Sequence, residues 1–184
     1  MDEQINWPLL AQRLAARESK GYGSNHAMAA LELIVGEEAI RQSVDYYVAL
    51  KPEAELVRQV LWRLRPWSAM QRCCEIYHSD ADIEYRRTAI ELLRVVADER
   101  ALEWIEEFLA DPDEGIQGWG IGVLDQLLWG GSMSPNGDVL EKAERLLVKA
   151  GGHHNPQVQS QAASVRGYLE ERKASALSGQ PLRP

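Results

Sequence analysis

Few residues in this 184-residue chain have the type and spacing to do chemistry. Glu75 and His78 stand three apart in a helical stretch, which is half of a carboxylate–histidine site for a pair of iron ions. The complete site needs a second such pair and two further glutamates from other helices, and only one pair occurs. His153 and His154 follow a glycine pair, with no cysteine nearby and no second spaced histidine to complete a metal shell. His26 reads as a helix-start residue. Cys73 and Cys74 are adjacent, and a disulfide between neighbours strains the peptide between them, so they imply one buried thiol and one at the surface. The GWGIG stretch at 118–122 alternates glycines as a nucleotide loop does, but it lacks the preceding strand and the full spacing of a phosphate cradle. Its glycines are read instead as places where neighbouring helices approach closely. Nucleophile elbow, metalloprotease motif and P-loop are all missing, so neither catalysis nor a resident cofactor or metal is expected.

Charge is the stronger signal. The formal net charge is −8 and the pI about 5.1. Binding a phosphate backbone is driven by Lys and Arg releasing counterions, so a nucleic-acid partner is not expected. Arg58, Arg63, Arg65 and Arg72, with Arg86 and Arg87 further on, are the nearest thing to a basic run, and they read as helix-surface arginines paired with neighbouring carboxylates. No apolar run approaches the roughly 20 residues that span a bilayer, and the acidic Met-Asp-Glu start is unlike a signal peptide. A soluble, cytoplasmic monomer without membrane contact is the expectation.

The elements that must position any site follow from periodicity. In the stretch from Asp82 to Asp111, Tyr85, Ala89, Leu93 and Val96 line one face of a first helix, and Leu102, Ile105, Phe108 and Leu109 the inner face of a second, stopped at Asp111-Pro112. A joint of a few residues forces the pair antiparallel. The spacing of Asp82, Tyr85, Arg86, Ala89 and Leu93 returns thirty-one residues later as Asp113, Ile116, Gln117, Gly120 and Leu124, and again as Asn155, Val158, Gln159 and Ala162, continued by Val165 and Leu169. Val57, Arg58 and Leu61, with a second helix from about Ser68 to Tyr77, give a weaker copy. Ala27, Leu31, Ile34, Ala39 and Ile40 give another, two periods before Ala89 to Leu102. A period near thirty residues built from helix pairs means an all-α solenoid of about five pairs. A helix over 1–18, entered through Asn6 and Pro8 and facing inward through Leu9, Leu10 and Leu14, caps its open end. Residues 21–25 form a turn, 130–137 an insertion, 1–173 a single domain and 174–184 a disordered tail. Pro66 ends one helix near Arg65, sealed by Trp62 and Trp67.

Asp-x-x-apolar-Arg-x-x-Ala-x-x-x-Leu, followed by a turn with Asp98 and then Ala101-Leu102, resembles the short HEAT-like repeats of bilin-lyase-type proteins and many bacterial scaffolds. The match is good over 82–128, fair over 155–169 and weak before 57. The resemblance implies a right-handed superhelix whose second helices line a concave surface; Gln117 and Gln159 in the place of Arg86 leave its Asp-to-Arg ladder incomplete.

Aligning the second helices on Ile40, Met70 and Leu102 puts Asp45, Glu75 and Glu107 at one equivalent position, with Glu144 close to it. Stacked helices set such equivalents about 10 Å apart, as an acidic row. Glu103, Trp104 and Glu106 lie beside it, and an exposed aromatic among carboxylates has the composition of a binding hot spot. Trp7, Trp62, Trp67, Trp119 and Trp129 read as core and inter-repeat packing. The expected function is a non-catalytic module that captures a basic protein partner in this groove, in the manner of toxin-neutralising immunity proteins with HEAT-like folds. The other reading is a bilin-lyase-like enzyme or chaperone that holds a tetrapyrrole between tryptophans.

Overall fold

The computed structural model describes residues 7–18, 26–129 and 137–178. Among these residues the chain is helical, without strands: α1 (Trp7–Glu18), α2 (His26–Val35), α3 (Glu37–Val48), α4 (Ala54–Leu64), α5 (Trp67–Tyr77), α6 (Ile83–Val96), a 3-10 turn (Glu99–Glu103), α7 (Ile105–Ala110), α8 (Glu114–Trp129), α9 (Gly137–Gly151) and α10 (Pro156–Ser178). None of these helices is long and apolar enough to cross a membrane.

The recurrent sequence positions do recurrent physical work. Asp82 Oδ1 accepts from the Tyr85 amide and Asp113 Oδ1 from the Ile116 amide, while Asn155 Oδ1 accepts from the Gln157 amide. Each satisfies a donor that the first turn of a helix leaves without an intrahelical partner. Four residues after each cap, a side chain reaches back to the preceding loop. Arg86 Nε donates to the Tyr77 carbonyl, Gln117 Nε2 to the Asp111 carbonyl and Gln159 Nε2 to the His153 carbonyl. Gln in place of Arg therefore keeps this bond and drops only the charge.

Packing sorts the helices into two layers. α4, α6, α8 and α10 lie against one another in series, as do α3 with α5 and α7 with α9; Tyr77 against Phe108 and Trp67 against Trp104 bridge α5 to the 3-10 turn and α7. The core lies between the layers, with Val44, Met70, Leu93, Phe108, Leu124 and Val165 all at 1% exposure or less. At the start of the chain α2 packs on α1, α3 and α4.

Several expectations change. The second helix expected after Asp98 is split: the Asp98 carboxylate accepts from the Arg100 amide and starts a 3-10 turn, and α-helix begins only after Trp104. The expected end of α4 before Pro66 holds: Arg65 closes it in the left-handed region at φ 43°, outside the right-handed α region that proline disfavours for its neighbour. α10 runs on to Ser178, past the expected helix end at Lys173, because Ala174, Ala176 and Leu177 are strong helix formers and no Gly or Pro intervenes before 179. Leu9, Leu31 and Ile34, expected inside, are exposed; they belong to the first two helices, which pack only lightly on their neighbours. Trp62 and Trp129 are also exposed. The inward stripe of α4 runs through Ala54, Val57, Arg58 and Leu61, and Trp62 is a further 100° round; Trp129 is the last residue of α8. Cys73 and Cys74 are both buried, so neither is a surface thiol, and burial pushes both thiols up. Residues 1–6, the 21–25 turn, the 130–136 part of the insertion and the tail beyond 178 lie outside the described residues.

The α8 glycines serve close approach. A Cβ built at Gly120 would stand 2.6 Å from the Phe108 Cβ, an atom that cannot swing away, whereas at Gly118 its nearest neighbour is the flexible end of Gln157 at 3.4 Å. Gly120→Ala is therefore expected to lose about 1–3 kcal/mol through overpacking. Gly118→Ala is expected to be neutral or to gain up to about 1 kcal/mol in helix propensity. Urea unfolding of the two variants checks the contrast, and equal values would contradict it.

Candidate functional site

The carboxylates singled out by spacing all fall on the layer of α3, α5, α7 and α9, counting the 3-10 turn with α7. Each is paired with a basic side chain. Asp45 accepts from Arg72 Nε at 2.8 Å; Glu75 accepts from Arg41 Nη1 at 2.9 Å and from Arg72 Nη1 at 3.1 Å. Glu107 meets His78 Nε2 at 2.7 Å, Glu106 meets Lys149 Nζ at 2.5 Å, Glu103 pairs with Lys142, and Glu144 meets Lys173 Nζ at 2.8 Å. The row of acids is thus interleaved with bases from adjoining helices. The guanidinium of Arg41 and then that of Arg72 hold the Glu75 carboxyl below its ordinary range, and Lys149 does the same for Glu106.

These pairs leave the carboxylates within reach of solvent. The side chains of Glu75 and Glu107 are 47% and 48% exposed, those of Glu106 and Glu103 67% and 72%. Charge also segregates by layer. α3, α5, the 3-10 turn, α7 and α9 carry eleven acidic residues against six basic, a net −5. The first-layer helices α2, α4, α6, α8 and α10 carry eight of each.

Trp104 departs from its expected role. It is half-buried, packed against the core, with its ring stacked on Trp67 at 5.5 Å and 16°; Arg100 lies over the Trp67 ring at 4.5 Å. It is part of an inter-helix joint and not an exposed aromatic among acids.

The metal-type residues are engaged elsewhere. Glu75 turns to α3 and His78 to Glu107, so the two do not converge. His153 Nδ1 accepts from the Asn155 amide, which assigns the proton to Nε2, and that N–H donates to the Leu109 carbonyl at 2.7 Å. His154 lies beside Gln117. Of the arginines read as paired, Arg58 bonds Glu55 and Glu91, Arg72 bonds Asp45 and Glu75, Arg86 bonds Asp111, and Arg87 bonds Glu84 and Asp113. Arg63 instead lies over the Trp62 ring at 4.4 Å, and Arg65 is half-buried, its pKa lowered by desolvation.

A cleft on the other layer was not anticipated. A cleft of about 210 Å³ between α6, α8 and α10 is lined by Arg94, Glu114, Gly115, Gly118, Trp119, Gly122, Gln157 and Gln161. Its sequence signal was the placing of Gly115, Gly118 and Gly122 on one face of α8; the residues opposite them are 21 or more positions away and leave no local trace.

Compared with family models, with curated proteins and with solved structures, the chain finds no match in any of the three.

Proposed function

We propose that the protein is a non-catalytic binding module: a right-handed solenoid of HEAT-like helix pairs whose second-layer face captures a basic protein partner, as a toxin-neutralising immunity protein does. The segregation of charge carries this reading, with net −5 on one layer against balance on the other. An electronegative face steers a basic partner and raises its association rate. The intramolecular pairs do not obstruct capture. Exposed ion pairs are worth roughly 0–1 kcal/mol each, so a partner's Lys or Arg replaces an internal cation at small cost. Holding a tetrapyrrole has less support, since Trp67 and Trp104 spend ring faces on each other.

Glu75→Lys would set three cations together beside Arg41 and Arg72, so neutral variants make the cleaner test. The triple variant Asp45→Asn, Glu75→Gln, Glu107→Gln is expected to bind the basic partner with roughly tenfold slower association at low salt, a difference that fades at high salt. First-layer controls of equal charge change, Glu84→Gln, Glu170→Gln and Glu171→Gln, should bind as wild type. Surface plasmon resonance at two ionic strengths reads both, and equal slowing by the two triples would reduce the effect to net charge alone.

A further inference from the structure

The cleft on the first layer is built differently from the acidic face. α8 forms its floor, and Gly118 and Gly122 contribute space and no donors, because their amides lie inside the helix. A Cβ at Gly122 would stand 2.8 Å from the Arg94 Cδ, and one at Gly118 would face Gln157. Arg94 lies over the Trp119 ring at 5.1 Å, which holds its guanidinium at one end of the cleft. Its nearest carboxylate, Glu91, is 3.7 Å away and already accepts from Tyr47 at 2.6 Å and from Arg58 at 3.3 Å. Arg94 donates no hydrogen bond among the described residues; its Nε is sealed from solvent, but the side chain is 30% exposed, so the Nη donors are the ones a ligand can reach. Along the α10 wall, the Gln157 side-chain amide makes no hydrogen bond among the described residues, and Gln161 reaches Asp125 only at 3.4 Å. These two amides are one helical turn apart, about 6 Å, close to the two-residue repeat of an extended chain, about 6.6 Å. Glu114, about 12 Å along α8 from Gly122, closes the far end.

We propose that this cleft binds the carboxylate end of an extended peptide. The carboxylate sits on the Arg94 fork, whose planar donors match it. The Gln161 and Gln157 amides pair with alternate main-chain amides, two residues apart, and Glu114 lies where an amine or basic side chain two or three residues upstream would fall. The ligand chemistry is common to a free short peptide and to the C-terminus of a longer chain.

The test titrates the full-length ¹⁵N-labelled protein to about 10 mM, the range where a ligand this small is expected to bind. The probes are triglycine, triglycine amide and N-acetyl-triglycine, and the readouts are the side-chain amide resonances of Gln157 and Gln161 and the Trp119 indole N–H. Triglycine is expected to shift these signals saturably, with the amide roughly tenfold weaker. Arg94→Gln should remove that preference while the other resonances stay in place, and Gly118→Leu should fill the cleft and abolish binding. Retention by the acetylated peptide identifies a protein C-terminus as the source; its loss identifies a free peptide. Equal shifts by carboxylate and amide, or no shift from any of the three, would overturn the proposal. The acidic-face reading is untouched by either result, since it rests on the opposite layer.

Discussion

Truncating Asp111 to alanine is expected to cost about 3–5 kcal/mol, the range for removing one partner of a buried charged pair. Asp111 is 6% exposed and joins three units of structure: Oδ2 accepts from Tyr77 Oη at 3.0 Å and from Arg86 Nη2 at 3.2 Å, and Oδ1 accepts from the Asp113 amide at 2.8 Å. Without it, the Tyr77 hydroxyl and Arg86 Nη2 lose their acceptor, and Arg86 keeps only its Nε bond to the Tyr77 carbonyl. The Asp111 carbonyl is unaffected and continues to accept from Gln117, which in turn accepts from Asn155 Nδ2 at 2.9 Å. Asp111→Asn keeps an acceptor at the site and is expected to lose much less. Urea midpoints of the two variants measure the difference. A loss under about 0.5 kcal/mol for the alanine variant would show that α5, α6 and α7 are not joined through this residue.

Leu93→Ala is the second large effect, about 2–5 kcal/mol from lost burial and the cavity left behind. Leu93 has no solvent exposure and lies on α6, which packs on α4, α5 and α8, so no single neighbour can collapse into the space. Val60→Ala, on an α4 side chain 57% exposed, should change stability by less than about 0.5 kcal/mol. Similar losses for both would undo the register on which the 31-residue alignment rests.

The helices were legible where apolar periodicity and caps agree. Asp82, Asp113 and Asn155 each sit at the start of a helix with an inward stripe following, and all three cap as their spacing implies. Legibility failed where a side chain outweighs periodicity. The Asp98 carboxylate turns the chain into a 3-10 segment although Ala101 and Leu102 keep their buried positions. It failed again near the start of the chain, where Leu31 and Ile34 have helical spacing but α2 packs only lightly on its neighbours. That these acids share one layer was readable from the repeat, but their basic partners were not. Arg41 and Glu75 are 34 residues apart, Lys149 and Glu106 43 apart, and such pairings follow from packing between units, with no motif to announce them. Trp104 was misplaced for the same reason, since only the packed structure brings Trp67 beside it.

The most direct test of an acidic capture face is site-specific photo-crosslinking in native lysate. One photoreactive side chain is placed at Glu106 on the second layer, and another at Ala163, an exposed position on α10 of the first. A single basic protein joined through position 106, absent from position 163 and released from the crosslinking pattern by high salt, is the expected result. Attachment of that protein through position 163 in place of 106, or attachment that high salt leaves unchanged, would contradict the account.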